Sequence, residues 1–173
     1  MNSLPDRHSI IIGKNWQTAV MFVLGFWLSS SLVLDTLIVP SLYRTGMMSQ
    51  TDFASMGYVV FGAFNRMELL CAALTIVGVL ILHYYHHLSD RQDRLSIILS
   101  GVLFAIAIIY TYILTPQMSG LGLQLNLFEP TASAFPAAMM GMQISYWGLE
   151  IIKLLAGVTL LRWFYRKVVT DNG

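Results

Sequence analysis

The sequence predicts an all-α integral membrane protein, a bundle of four spanning helices. Three observations carry that prediction. Apolar residues make up 56% of the 173 residues and charged residues only 11%, where a soluble domain has about 25% charged. Mean hydropathy is +0.66. Four apolar runs, at about 16–39, 65–85, 95–114 and 137–161, each approach the ~20 residues that cross ~30 Å of hydrocarbon. So few charges cannot solvate a globular surface, and a net charge of +1 gives no basis for nucleic-acid binding. The lipid bilayer is the expected partner, with another membrane protein as a further one. The single cysteine, Cys71, falls in mid-span. It excludes a disulfide framework and reads as a small packing residue.

Residues 1–15 form a tail, and the membrane domain covers 16–161. The first span starts at Trp16 and is expected to end at Pro40, because proline lacks the N–H and clashes with the preceding turn. Ser29, Ser30 and Ser31 are small enough for signal cleavage. The apolar run continues to Val39, however, longer than a signal-peptide core, so the span is expected to be retained. Residues 53–64 are also apolar. Joined to the second span they would make a helix ~50 Å long to His87, so they are expected to form an interfacial, re-entrant or outward-projecting helix. The third span is expected to end at Pro116. The loop that follows, PQMSGLGLQLNLFEPTASAFP, carries one charge, Glu129, and three prolines, and is expected to be ordered against the membrane or a partner. The fourth span leads into a basic tail, 162–173, whose WFYRKVV is aromatic and then basic, as at a membrane interface.

Seven of the ten Lys and Arg residues fall in the two tails and the loop between spans two and three, and only Arg44 falls in the opposite loops. That asymmetry predicts that both termini are cytoplasmic. A weak repeat is also visible. Span one ends in LDTLIVP and span three in YTYILTP, and a Glu follows in the next span, 28 residues after Pro40 and 34 after Pro116. Two parallel helical hairpins would place a site between the halves.

Helix rise places the intramembrane polar groups. Asp35, Glu68, Tyr110 and Tyr112 come out at ~22–28 Å above the cytoplasmic interface and Glu150 at ~18 Å, with Lys153 one turn deeper. They come from all four spans and converge on the outer half of the bilayer, while the inner half reads as Leu, Ile, Val and Ala. On span two, Asn65, Glu68, Ala72, Thr75, Val79, His83 and His86 share one stripe. On span four, Gln143, Tyr146, Glu150, Lys153 and Gly157 form another, with Glu150 and Lys153 three apart and able to pair. On span one, Leu24, Leu28, Ser31 and Asp35 share a face. Arg66 points ~200° away from Glu68. Charges in hydrocarbon are costly, so two uses compete: an ion-pair network that sets helix register, or an outward-open cavity for a small ligand, ion or proton. The candidate set is Asp35, Asn65, Arg66, Glu68, Tyr110, Tyr146, Glu150 and Lys153. In it Arg66 and Lys153 balance three carboxylates to within one charge, which a proton or bound cation would close.

His83, His86 and His87, in HYYHH, lie at the other end of span two. His83 and His87 are four apart and could share a metal; His83 alone could ligate a tetrapyrrole axially. Tyr and His are equally ordinary interfacial residues. The ten methionines include MM and MMxM, which suggest Cu(I) only weakly because no ligand ladder repeats. No nucleotide-loop, zinc-protease, dithiol or serine-hydrolase motif occurs, and no motif requires a cofactor.

FWLSSSLVLDTLIVPSLYRTGMM followed by FASMGYVVFGAFNRMELL resembles the small bacterial membrane proteins of the domain of unknown function family 4149. The pattern of Asp35, Pro40, Tyr43, Gly46, Met47, Phe61, Asn65 and Glu68 looks most like cyanobacterial members. The resemblance covers roughly 16–161 and implies four spans, a Pro closing the first and a polar motif opening the second. It implies a bacterial plasma membrane or a thylakoid membrane, and it carries over no catalytic residue. A Trp-containing first span closing on Pro is more distantly similar to copper-resistance D-type proteins and to a membrane protoporphyrinogen oxidase family. This chain has no His in its first span and no Arg directly after Pro40. The expected function is non-enzymatic: an accessory, assembly or ligand-binding membrane protein. A small ion- or proton-coupled transporter and a tetrapyrrole- or metal-linked redox protein are the alternatives.

Overall fold

A computed structural model describes residues 7–45, 53–84, 90–118, 120 and 137–170. Among them there is no strand. Four long helices run through the chain, and each contains a segment long and apolar enough to cross a membrane: Asn15–Leu42, Gly57–Tyr84, Gln92–Met118 and Gly141–Val169. The first helix packs on the second, the second on the third, the third on the fourth and the fourth back on the first. Diagonal helices make no close backbone approach among the described residues. This is an up-and-down square bundle, the arrangement that short connections between antiparallel neighbours favour.

The bundle is built for an apolar solvent. Phe22, Leu70, Ile144 and Leu155 point outward, each more than three-fifths exposed, while Glu68, Glu150 and Lys153 are 1–2% exposed inside. The main apolar core is a column of Val20, Leu24 and Trp27 from the first helix, Ala72, Val79 and Leu82 from the second, Leu103 and Ala107 from the third, and Ala156, Leu160 and Phe164 from the fourth. Two glycines let the first helix close on its neighbours. A Cβ on Gly78 would lie 2.2 Å from Val20 Cγ2, and one on Gly157 would lie 2.7 Å from Leu28 Cδ2. Small residues at such positions are how membrane helices gain packing area without a hydrophobic driving force between them.

Both prolines expected to end helices lie inside them instead. The first helix runs as Arg7–Val33, widens to a π turn at Leu34–Ile38, and continues as Val39–Arg44 through Pro40. The third runs as Asp90–Ile109, widens at Tyr110–Leu114, and continues through Pro116 to Met118. In each the amide after the wide turn reaches five residues back, Val39 to Leu34 and Thr115 to Tyr110. The extra residue gives room for the proline ring where a regular turn would clash with the carbonyl four residues earlier. The two wide turns occupy the same register relative to proline, so the weak repeat of LDTLIVP and YTYILTP has a shared backbone form.

Residues 53–64 join the second span. Phe53–Tyr84 is one helix of 32 residues, ~48 Å long, so it projects beyond a ~30 Å hydrocarbon core. The fourth helix, Ala137–Thr170, takes in much of the basic tail. Most of the loop 116–136, and His86 and His87, lie outside the described residues.

Candidate functional site: a buried carboxylate–lysine cluster

The second helix presents Asn65, Glu68, Ala72, Thr75 and Val79 to the interior, all buried, as its three-four spacing requires. The fourth presents Glu150, Lys153 and Gly157. These stripes meet between the wide turns of the first and third helices. Lys153 lies at the centre. Its Nζ donates to Glu68 Oε1 across the diagonal of the bundle and to Glu150 Oε2, 2.7 Å away on its own helix. It also sits 5.4 Å from the centre of the Tyr110 ring. Glu68 Oε1 accepts two more hydrogen bonds from the first helix, from Trp27 Nε1 at 2.9 Å and Ser31 Oγ at 3.0 Å.

Glu150 is held from the third helix, where Tyr110 Oη donates to its Oε2 at 3.1 Å. Tyr110 stacks on Tyr146, with ring centres 5.1 Å apart, and Tyr146 Oη donates to Asp35 Oδ1 at 2.9 Å. Asp35 lies in the wide turn of the first helix and is 6% exposed. Asn65 closes the seam between the second and third helices: Nδ2 donates to the Tyr110 carbonyl at 3.3 Å and to Thr115 Oγ1, and Thr111 Oγ1 donates to the Asn65 carbonyl. One side chain or another of this cluster therefore bridges every adjacent helix pair and one diagonal. The wide turns contribute directly, because Asp35, Tyr110 and Thr111 all belong to them.

Seven of the eight cluster candidates come together here, and Arg66 does not. It is exposed on the outside of the second helix, as its ~200° offset from Glu68 requires, and it pairs with none of the described cluster residues. The balance estimated with Arg66 inside is therefore corrected. Three carboxylates share the single ammonium of Lys153, a deficit of two charges if all three are ionised. Glu150 Oε1, moreover, is buried with no hydrogen-bond partner among the described residues. Trp27, Ser31, Thr111 and Thr115 complete the cluster and were not anticipated as members. The sign that would have found Trp27 is its place one turn before Ser31 on the face of Asp35, since a buried indole N–H needs an acceptor.

The opposite end is not purely apolar, which corrects a second expectation. Gln17, Thr75, Asp93, Ser96 and Ser100 are all buried there or in mid-bundle. Gln17 Nε2 donates to the Phe164 carbonyl at 2.8 Å. His83 Nδ1 lies 3.1 Å from Asp93 Oδ2, so its first neighbour is a carboxylate on the third helix. No group of three His, Cys, Asp or Glu side chains converges on a metal-binding geometry among the described residues.

No curated protein and no solved structure matches the chain. One family model does, over residues 22–126. The matched region takes in Trp27, Ser31, Asp35, Asn65, Glu68, both wide turns and Tyr110, and stops before Tyr146, Glu150 and Lys153. With more than half of its length matched, the chain belongs to the family described as Domain of unknown function (DUF4149).

Proposed function

We propose that the protein is a non-enzymatic membrane protein whose buried carboxylate–lysine cluster takes up protons or a small cation as its ligand. One observation carries the proposal: three carboxylates, Asp35, Glu68 and Glu150, none more than 6% exposed, belong to one cluster whose single ammonium is bonded to Glu68 and Glu150. An unbalanced charge inside a bilayer costs about 2.5–3.5 kcal/mol even on the most lenient scale. Two protons, or one proton and a cation, remove that cost, and the unpartnered Oε1 of Glu150 offers a place for one. The test is a potentiometric titration of the purified protein in detergent, with and without added Na⁺ or K⁺. Against the wild type, Asp35→Asn and Glu150→Gln are each expected to lower the proton uptake or to lose the cation dependence. Identical uptake in all three proteins would refute the proposal.

A second reading, an ion- or proton-coupled carrier, is favoured by the paired wide turns beside the cluster. Such turns concentrate at functional sites, and two halves built alike are a common carrier plan. On this reading the opposite end of the bundle is cytoplasmic and the cluster lies toward the outer face, which the basic tails and the basic loop between the second and third helices support. Arg66, outside the bundle, then serves the lipid headgroups or a partner membrane protein.

A further inference from the structure

Asp93 takes no part in the carboxylate–lysine cluster. This residue lies at the start of the third helix, inside an apolar spanning segment, and is 5% exposed. Its Oδ2 meets His83 Nδ1 at 3.1 Å, and the His83 side chain is half exposed. Its Oδ1 has no hydrogen-bond partner among the described residues. Neither has Ser96 Oγ, three residues further along the same buried face and 0% exposed. Two unpartnered oxygens so deep in the protein are uncommon, because each forfeits a hydrogen bond it would make in water. They mark a place for a proton or a bound water, which a static apolar seam between helices would not need.

We propose that Asp93, with His83 and Ser96, forms a second proton-binding site at the end of the bundle opposite the carboxylate–lysine cluster, and that it exchanges protons with the solvent on its own side. His83 reaches that solvent. A proton taken up at Nε2 makes the imidazolium; the proton on Nδ1 then passes to Asp93 Oδ2. The ring is left neutral as its other tautomer and the carboxyl is left neutral inside the bundle. No charge is created and no other reactant is consumed. Ser96 Oγ can serve the carboxyl in either state, because a hydroxyl both donates and accepts. Among the described residues, the other polar and charged groups at this end include Gln17 of the first helix, already bonded to Phe164, Tyr84 of the second, exposed Arg94 of the third, and Arg162, Tyr165, Arg166 and Lys167 of the fourth.

The site also has a direction. Ser100 and Thr75, both fully buried, lie on the same inward faces about 10 Å further in. Beyond them Ala72, Leu103 and Leu160, 0–1% exposed, separate this end from Glu68 and Lys153. The destination of a proton, though not its binding at Asp93, rests on the proton-binding role proposed for the cluster.

Infrared difference spectroscopy across a pH series, on protein in lipid nanodiscs, tests this, because a protonated carboxyl has its own C=O band. Asp93→Asn is expected to remove one titrating band, and Glu150→Gln a different one. Ser96→Ala and His83→Gln are expected to keep the Asp93 band and move its midpoint by about one pH unit, the usual effect of losing a hydrogen-bond or charge partner. An unchanged spectrum in Asp93→Asn would overturn the proposal and make Asp93 a permanently ionised partner of His83. If Asp93→Asn fails to fold, the other two variants decide, and an unmoved midpoint in both overturns it equally. Loss of the Asp93 band with no change in Glu150→Gln would sustain this site and refute the cluster's role.

Discussion

Replacing Lys153 by methionine isolates what one ammonium does for two carboxylates. Methionine fills a similar volume and adapts to irregular space, so packing changes little. What is lost is charge. The ammonium makes hydrogen bonds to Glu68 and Glu150, and all three side chains are 2% exposed. Removing one partner of a buried ion pair costs about 3–5 kcal/mol, because the remaining charge stays buried and uncompensated. The contact with the Tyr110 ring adds roughly 0.5–2 kcal/mol. The expected loss is therefore roughly 3.5–7 kcal/mol at neutral pH, read by equilibrium unfolding in mixed micelles of SDS and a mild detergent. A triple variant, Lys153→Met with Glu68→Gln and Glu150→Gln, should recover most of the stability, since an apolar or neutral replacement of a whole buried ion cluster is often close to neutral. A single-variant loss under about 1 kcal/mol, or a triple variant less stable than the single one, would refute an ionised network centred on Lys153.

Two further outcomes are expected. Gly78→Ala should destabilise by about 1–3 kcal/mol, because its Cβ would fall 2.2 Å from Val20 Cγ2, and Val20→Ala should rescue part of that loss; Gly25→Ala, where nothing lies within 4 Å, is the control, and equal losses at both positions would contradict the close approach of the first and second helices. Cys71 is buried and free, so a water-soluble maleimide should label it only as the bundle unfolds, and mass spectrometry showing full labelling of the native protein would place the second helix's inward face elsewhere.

Much of this architecture was legible because helical periodicity is a strong constraint. The stripe from Asn65 to Val79 faces inward along its whole described length, and Glu150 and Lys153 pair as three-residue spacing allows. Depth was legible for the same reason: a rise of 1.5 Å per residue brings Asp35, Glu68, Tyr110 and Glu150 to neighbouring levels. What was illegible depends on contacts between helices or on backbone adaptation. Pro40 and Pro116 look like terminators, because local sterics say that proline stops a regular helix. The wide turns before them change those sterics, and a periodicity argument holds no term for a sixteen-atom turn. Trp27 looks like one more apolar residue until an acceptor from another helix stands opposite its N–H. Asp93 looks like a loop-side charge, because its burial comes from neighbours that its own segment does not reveal. Arg66 shows the limit of proximity in sequence: two residues from Glu68, it lies on the far side of the helix.

The donors around Glu68 also bear on the order in which the chain is assembled. Ribosomal synthesis delivers Trp27, Ser31 and Glu68 before Lys153 exists. The first hairpin therefore enters the bilayer carrying a carboxylate whose eventual counter-ion has not been made. Trp27 and Ser31 give that carboxylate two hydrogen bonds from within the first hairpin, and a single proton suffices to neutralise it until the rest arrives. The later hairpin is self-sufficient in another way: Glu150 and Lys153 pair on one helix, and Tyr110 of the same hairpin supports them. Each half thus covers part of its charge alone, while Asp35 in the first waits for the Tyr146 hydroxyl of the second. The reach of Lys153 across the diagonal to Glu68 forms only once the second hairpin docks on the first, as do the Tyr146–Asp35 and Asn65–Tyr110 bonds, so it acts as one part of a latch between the halves.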